Sequence, residues 1–245
     1  MTDLQKAIDI RRSRRKYLPA VLKESDMKAL SALVAEFGAE KQVKMQPVFN
    51  NGEAFSGLRK SYGMFSGVKS YIALIGDKAD VVGLEKLGYY GELLILHATA
   101  RGLGTCWVGG TFDRASCPVH LAKGESVVCA ITVGNVPETL SVREKLIHSL
   151  THRKTKTVEQ MVTSDGAMPD WFLSGMQAVQ KAPSAINRQP VMFAYQDGTV
   201  TASVEDISGE GFSFDLGIAK LHFELGAGGG SWAFGNGAAF ARDEV

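Results

Sequence analysis

The sequence predicts an α+β protein assembled from two successive α/β halves. Two observations carry this. Apolar, β-branched runs such as 70–75 and 127–133 alternate with segments of apolar helical character. Two of those helical segments also end alike: residues 91–105 run into Gly-Leu-Gly-Thr, and residues 217–231 into Gly-Gly-Gly-Ser. A Gln-Pro-Val triplet occurs in the β-rich sequence ahead of each (Gln46-Pro47-Val48 and Gln189-Pro190-Val191). This reads as an internal duplication, with a first half over 1–160 and a shorter second half over 161–245. Two unrelated α+β segments are the alternative.

In chain order, residues 4–10 predict a short amphipathic helix that runs into a basic cluster, and Pro19 interrupts the chain. Ser25 or Asp26 can cap a helix to about Phe37, with Leu30, Leu33, Val34 and Phe37 on one face and Gly38 as the stop. Residues 43–49 suggest a strand, and 50–57 a loop. A strand follows over 70–75, ended by Gly76-Asp77, then a largely buried helix over 87–101 stopped by Gly102-Leu103-Gly104. Residues 127–133 have the continuous apolar character of a central strand. Pro169 opens a helix to about Gln180, and a polar turn follows at 183–187. Strands over 191–195 and 200–204 are joined by Asp197-Gly198, a hairpin dipeptide. A helix over 215–225 leads into Gly226–Gly230.

Bulk properties narrow the function. The chain has 245 residues, net charge +1, 45% hydrophobic and 22% charged residues, an ordinary globular composition. That balance gives no case for nucleic acid or a membrane surface as partner. No apolar run reaches bilayer-spanning length and the first residues lack a signal-peptide core. Cys106, Cys117 and Cys129 have no metal-like spacing and read as buried free thiols in a reducing, cytoplasmic compartment. The histidines form no metal motif, and His97 and His222 fall on apolar helices as satisfied core or interface residues. No Ser–His–Asp set or paired carboxylate stands out, so no catalytic residue and no metal is assigned.

Two clusters carry chemistry. Arg11, Arg12, Ser13 and Arg15 offer guanidinium forks and a hydroxyl, which match phosphate oxygens; a solvated basic turn uses the same residues. Pro183, Ser184, Ala185 and Asn187 combine a fixed backbone, small side chains and amide groups suited to a flat heterocycle; a capped turn before a strand would look the same. Trp107-Val108-Gly109-Gly110 ends in two glycines that let backbone N–H groups approach a ligand. His152, Arg153 and Lys154 offer a second phosphate contact, and exposed surface charges would look the same. Gly226–Gly230 lacks the spacing and lysine of a phosphate loop.

Taken in order, these features resemble the nitroreductase family of flavin enzymes. Arg11-Arg12-Ser13-Arg14-Arg15-Lys16-Tyr17 is similar to that family's basic–Ser–basic opening, and Pro183-Ser184-Ala185-Ile186-Asn187-Arg188-Gln189-Pro190 to its Pro-Ser-Ala-x-Asn-x-Gln-Pro motif. Residues 91–104 resemble its central helix, and Val133-Gly134-Asn135-Val136-Pro137 with Arg153-Lys154 its late strand and basic segment. In ordinary members the two motifs lie close together in sequence and two identical subunits build two sites. Here they lie in different halves, so the chain resembles a divergent, fused branch of Thermotoga type, a nitroreductase-like pseudo-dimer. The resemblance implies one flavin mononucleotide (FMN) per chain, with NAD(P)H as electron donor and a nitroaromatic, quinone or enone as acceptor. It implies a monomer acting as a pseudo-dimer on small molecules. Arg11, Arg12 and Ser13, with Arg153 or Lys154, would hold the phosphate end, and Arg15 the pyrimidine edge. Gly109 and Gly110 would face the redox-active nitrogen, and Pro183–Asn187 would cover the ring. Trp107 departs from the smaller residue common there. A non-catalytic FMN-binding protein of the same fold is the alternative.

Overall fold

A computed structural model describes residues 3–56, 63–151, 154–206 and 212–243. By compactness the chain divides into two units that interlace in sequence: one holds 10–79 and 94–150, the other 1–9, 80–93 and 151–245. Each combines helices with one sheet, so the α+β class holds for both.

In the unit of 10–79 and 94–150 the strands β1 (Met45–Val48), β2 (Ser70–Gly76), β3 (Gly104–Val108) and β4 (Ser126–Gly134) lie in the order β1-β2-β4-β3, all antiparallel. β2 and β4 are buried along nearly their whole length, which is why both read as unbroken apolar runs rather than alternating ones. A core of Tyr17, Phe55, Phe65, Tyr71, Val108 and Phe112 packs in this unit. The Phe55 ring stacks on Phe112 at 5.5 Å and meets Tyr71 edge-on at 5.2 Å.

Two expectations for the early helix are corrected. With α1 covering Asp3–Ile10, the next helix α2 spans Glu24–Lys41 and buries Leu30, Val34 and Phe37. It passes through Gly38 and is closed by Gln42, at φ 57°, whose N–H bonds the Phe37 carbonyl. A glycine in mid-helix costs only about 1 kcal/mol, and the burial of Phe37 outweighs it. Neither Ser25 nor Asp26 caps the helix; it starts after Lys23 without a side-chain cap. Asp26 instead accepts the Arg101 Nε–H at 2.8 Å. Several elements had no clear sequence signal: β3, the helix α4 (Val142–Thr151) defined below, the three-residue β5 (Val162–Ser164), and the two short strands at Ser231–Trp232 and Ala239–Ala241.

The helix α3 (Val81–Ala100) begins six residues before the predicted Leu87, at a cap where Asp80 Oδ1 accepts the Gly83 N–H at 2.9 Å. Its residues 81–93 belong to the second unit and its later residues to the first. With α4 at Val142–Thr151, the remaining helices are α5 (Asp170–Val179) and α6 (Phe212–Ala227). The second sheet orders β5, β6 (Met192–Gln196), β7 (Thr199–Ser203), β8 (Ser231–Trp232) and β9 (Ala239–Ala241) as β5-β6-β7-β9-β8. β5 and β6 are parallel, and β6 and β7 form the predicted hairpin, with Asp197 and Gly198 at φ 49° and 76°. Phe223 of α6 is the centre of an aromatic cluster: it stacks on Phe193 at 5.2 Å and meets Phe172 and Phe240 edge-on.

α6 touches the start of α3 backbone to backbone. A Cβ on Gly217 would lie 1.9 Å from the Glu85 carbonyl oxygen, and one on Gly88 would lie 2.3 Å from that of Phe214. Only glycine permits this approach. Beside the crossing, Lys220 is wholly buried and its Nζ donates to Glu85 Oε1 at 2.6 Å and to the carbonyls of Gly235 and Ala233 at 2.9 and 3.1 Å. Burial pulls its pKa down and Glu85 opposes that. His222, also fully buried, lies between the Ala178 carbonyl and Glu92 Oε1 at 3.1 Å each, the core role its apolar helix implied. No helix among the described residues is long and apolar enough to cross a membrane.

Removing one partner of a buried pair strands the other's charge, typically at about 3–5 kcal/mol. Lys220→Met is therefore expected to lower unfolding stability by about that amount. Lys220→Met with Glu85→Leu should recover part of it. Urea unfolding of the single and double variants reads both; an unaltered midpoint in Lys220→Met would refute the pair's importance.

Candidate functional site

The basic cluster sits in the unit of 10–79 and 94–150 and runs extended. Ser13 pairs with Thr105 as an isolated parallel bridge, Lys16 with Ser66, and the Arg14 N–H bonds the Thr105 carbonyl at 2.8 Å. An extended chain turns alternate side chains to the same side, so Arg11, Ser13 and Arg15 go one way and Arg12 and Arg14 the other. The surroundings agree. Ser13, bridged to Thr105, hydrogen-bonds the neighbouring Cys106 thiol of β3; burial pushes that thiol's pKa up, while the Arg15 and Arg11 charges and the Ser13 hydroxyl draw it back. Arg15 Nε is buried with no hydrogen-bond partner, and its guanidinium lies 6.0 Å from the Phe65 ring centre. Arg12 is exposed and donates back to the Arg11 carbonyl at 2.8 Å.

Arg14 has a different role. It is 8% exposed, and its guanidinium donates to Glu144 Oε1 at 3.3 Å and to the carbonyls of Pro137 and Thr139 at 2.9 and 3.2 Å. Glu144 Oε1 also accepts the N–H groups of Arg15 and Lys16 at 2.7 and 3.2 Å. Its Oε2 accepts the N–H and the hydroxyl of Ser141, both at 2.8 Å, while the Glu144 N–H returns to Ser141 Oγ at 3.2 Å. The last three contacts form a capping box that opens α4. Burial would raise the Glu144 pKa, but the donors from Arg15, Ser141 and Lys16 outweigh it and hold it at about 2. Tyr17 completes the clamp, its hydroxyl contacting Thr132 Oγ1 at 2.6 Å and the Arg14 carbonyl at 2.9 Å.

Trp107 and Val108 end β3 beside Cys106. The Val108 side chain lies in the core of this unit, so only its backbone is available to a ligand. Gly109 and Gly110 are exposed, and a Cβ at either would meet nothing within 4 Å. The Gly109 carbonyl accepts from Arg114 Nη2, and Arg114 Nε donates to the Val127 carbonyl at 2.9 Å, which anchors the glycine turn. An orphaned buried guanidinium nitrogen, a hydroxyl and an open glycine backbone fit an anionic ligand with a flat polar edge.

The Pro183–Asn187 turn belongs to the other unit. It is a short 3₁₀ turn over Ala185–Asn187, and Ile186, Asn187 and Gln189 take φ of 47°, 52° and 47°. Ser184 Oγ accepts the Gln189 N–H at 2.9 Å. Gln189 is itself pinned, its Oε1 and carbonyl accepting from the Lys156 N–H and Nζ at 2.8 Å each. Below the turn lies a small cavity lined by Val179, Ala182, Ser184, Gln189, Asp215 and Ala219. Burial pushes the Asp215 carboxyl up to about 7, against the Ala185 N–H and the Arg188 charge.

Of the predicted site residues, the structure gathers Arg11, Ser13 and Arg15 at Cys106, next in chain to Trp107–Gly110, and gives Arg12 an outward side chain. Pro183, Ser184, Ala185 and Asn187 form one turn in the other unit, where Lys154 is exposed. His152 and Arg153 lie outside the described residues. Cys106 and Cys129 are buried thiols as expected, whereas Cys117 is only half-buried. No His, Cys, Asp and Glu group suited to a metal occurs among the described residues. Sequence reasoning missed Glu144 and Asp215. The first had a signal in Ser141-x-x-Glu144, a capping-box spacing; the second had none.

A family profile described as "Putative TM nitroreductase" matches residues 3–227. No curated protein matches the chain. Among solved structures the chain is similar to a "putative nitroreductase" from Thermotoga maritima, at 22% identity over 98% of this chain and 93% of that one, with a TM-score of 0.66. Nitroreductases with bound FMN from Bacteroides fragilis and Desulfitobacterium hafniense match 58% of this chain and 92% and 94% of theirs. Their identities are 14% and 16%, with TM-scores of 0.43 and 0.46.

Two measurements probe these carboxyls. Glu144→Ala is expected to cost about 3–5 kcal/mol, since it strands the Arg14 guanidinium. In the wild type the Glu144 contribution is full above the unfolded pKa of about 4.3 and fades as pH falls towards about 2. An unchanged urea midpoint in Glu144→Ala would sink this. Asp215 has the opposite sign. Its folded pKa is raised, so wild-type stability should fall as pH rises from about 4 to about 7. Asp215→Asn should then gain thermal stability over wild type at pH 8 and little at pH 4; equal gains at both would contradict the assignment.

Proposed function

Because the chain belongs to the nitroreductase family, we propose that it is an FMN-dependent oxidoreductase that passes electrons from NAD(P)H to a small acceptor such as a nitroaromatic, quinone or enone. The observation that supports this most is the gathering of Arg11, Ser13 and Arg15 at Cys106, with Arg15 Nε buried and without a partner. A phosphate with its sugar chain supplies negative charge to these cations and an acceptor oxygen to Arg15 Nε.

In this reading Arg11 and Ser13 hold the phosphate and ribityl end, with Arg153 or Lys154 assisting; Arg12, expected there from the sequence, turns its side chain outward and is not assigned to it. Arg15 lies at the pyrimidine edge, where a cation favours negative charge on that side. Gly109 and Gly110 offer backbone N–H groups to the ring edge, flanked by Trp107 and Val108. Pro183, Ser184, Ala185 and Asn187 are assigned to the ring face, with one FMN per chain and the chain acting as a monomer. FMN supplies the hydride acceptor and donor chemistry when bound, and the donor and the acceptor bind in turn at the same place. The chain's own work is to position and exclude water. No protein acid or base is assigned to the hydride step. Buried free thiols fit a cytoplasmic setting.

The absorption spectrum of the protein as isolated should show flavin at a stoichiometry of one per chain, and anaerobic NADH or NADPH should bleach it. Arg11→Ala, Ser13→Ala and Arg15→Ala should each weaken FMN binding about tenfold, the loss of one hydrogen bond to a charged group. Flavin that neither nucleotide reduces would convert the reading to a non-catalytic FMN-binding protein. A chain that takes up no FMN would end it.

A further inference from the structure

The Pro183–Gln189 turn combines two unfavourable features. Three of its non-glycine residues lie in the left-handed region, and one of them, Ile186 at φ 47°, is β-branched and 44% exposed. A β-branched residue there is a genuine outlier, and such strain persists only where the surroundings over-determine it. Directly beneath is a carboxylate, Asp215, in the first turn of α6 and only 5% exposed. Its Oδ2 is buried with no hydrogen-bond partner, and the cavity it lines is shared with Ser184 and Gln189. A chain that needed only a reversal here could be built with glycine at 186 and an apolar residue at 215. Neither is present, and the two costs meet through one contact, the Ala185 N–H donated to the Asp215 carboxylate.

The remaining ties explain why that contact matters. Gln189 is fastened from the Lys156 side, and Ser184 Oγ holds the Gln189 N–H at 2.9 Å. The Asn187 and Arg188 N–H groups close on the Ser184 and Ala185 carbonyls at 3.0 and 3.1 Å. These bonds fix the end of the turn and its internal curl. The Ala185 N–H, by contrast, is directed at the Asp215 carboxylate of α6. Arg188 is the charged group that faces the carboxylate from the turn, and the other residues lining the cavity do not titrate.

We propose that Asp215 is a positioning residue for the flavin-covering turn: it holds Ala185 from below, so that Ala185, Ile186 and Asn187 are presented to the ring in their strained shape. This rests on the flavin reading above. It also adds Ile186, an exposed apolar side chain at the tip, to the residues that meet the ring.

The test compares wild type, Asp215→Asn and Asp215→Leu at pH 8. FMN affinity is read by flavin fluorescence, and amide hydrogen exchange across residues 180–191 is read in flavin-free protein. Leucine keeps the branched skeleton and removes both the buried charge and the acceptor, its bulkier methyl groups entering the adjoining cavity, so the fold should tolerate it. Asp215→Leu should weaken FMN binding at least tenfold and speed exchange in the turn, while its melting temperature stays level or rises. Asp215→Asn keeps an acceptor oxygen and should restore most of both. A purely structural role would move stability and affinity together, and that result would overturn the proposal. Unchanged exchange in Asp215→Leu would overturn the contact itself. Faster exchange with undiminished FMN affinity would overturn the positioning role while leaving the flavin reading intact. Wild type that binds no FMN would instead overturn the flavin reading and the ring-facing role with it.

Discussion

One carboxylate sets the shape of the basic segment. Glu144 receives a guanidinium, two consecutive main-chain N–H groups and the cap of its own helix. Without it, four arginines in five positions would repel one another and stay solvated. With it, Arg14 is paired, Arg11 and Arg15 turn towards Cys106 while Arg12 faces outward, and the backbone at Arg15 and Lys16 is fixed. The positive charge near Cys106 is thus organised by a negative one that grips the backbone behind it. Nothing in composition would suggest this, because the chain is near neutral as a whole.

The second unit is held in a different way. Its close helix crossing depends on the absence of side chains at Gly88 and Gly217, where the backbones of α3 and α6 meet. Around that contact lie Lys220, Glu85, His222 and Glu92, polar groups in an apolar helix pair, each bonded to a neighbour. Such groups add little net stability, since desolvation offsets much of their attraction. They do fix the relative rotation of the helices, because each must find its partner. Packing at the crossing and pairing beside it act on the same geometry.

The legible parts of the fold were those in which one physical effect dominated. The β-branched run at 127–133 is a buried central strand because nothing but burial explains it, and Asp197-Gly198 makes its hairpin because both residues take positive φ. The passage of α2 through Gly38 was not legible, since the penalty for glycine is small against the burial of Phe37 beyond the reach of a local rule. β3 was hidden by its neighbours: Gly104 and Thr105 read as the end of a helix signal, and Trp107 as the start of a glycine turn. At the site, the residue types of the Arg11–Arg15 and Pro183–Asn187 segments were readable, while their supports were not. Glu144 lies 130 positions from Arg14, and no period or spacing links them. Asp215 likewise looks like an ordinary first-turn helix acid.

The pleat of the opening segment has a consequence for how related chains should be compared. Parity, rather than abundance, decides what each cation does. Positions 11, 13 and 15 look towards Cys106, while 14 is spoken for by a buried acid and 12 looks outward. Two sequences with equal numbers of basic residues here are therefore not equivalent if one is displaced by a single place. Such a slip would turn the inward guanidinium out and drive an outward one into the clamp, with no change in overall charge. An alignment gap inside this short stretch is a larger event than several substitutions around it.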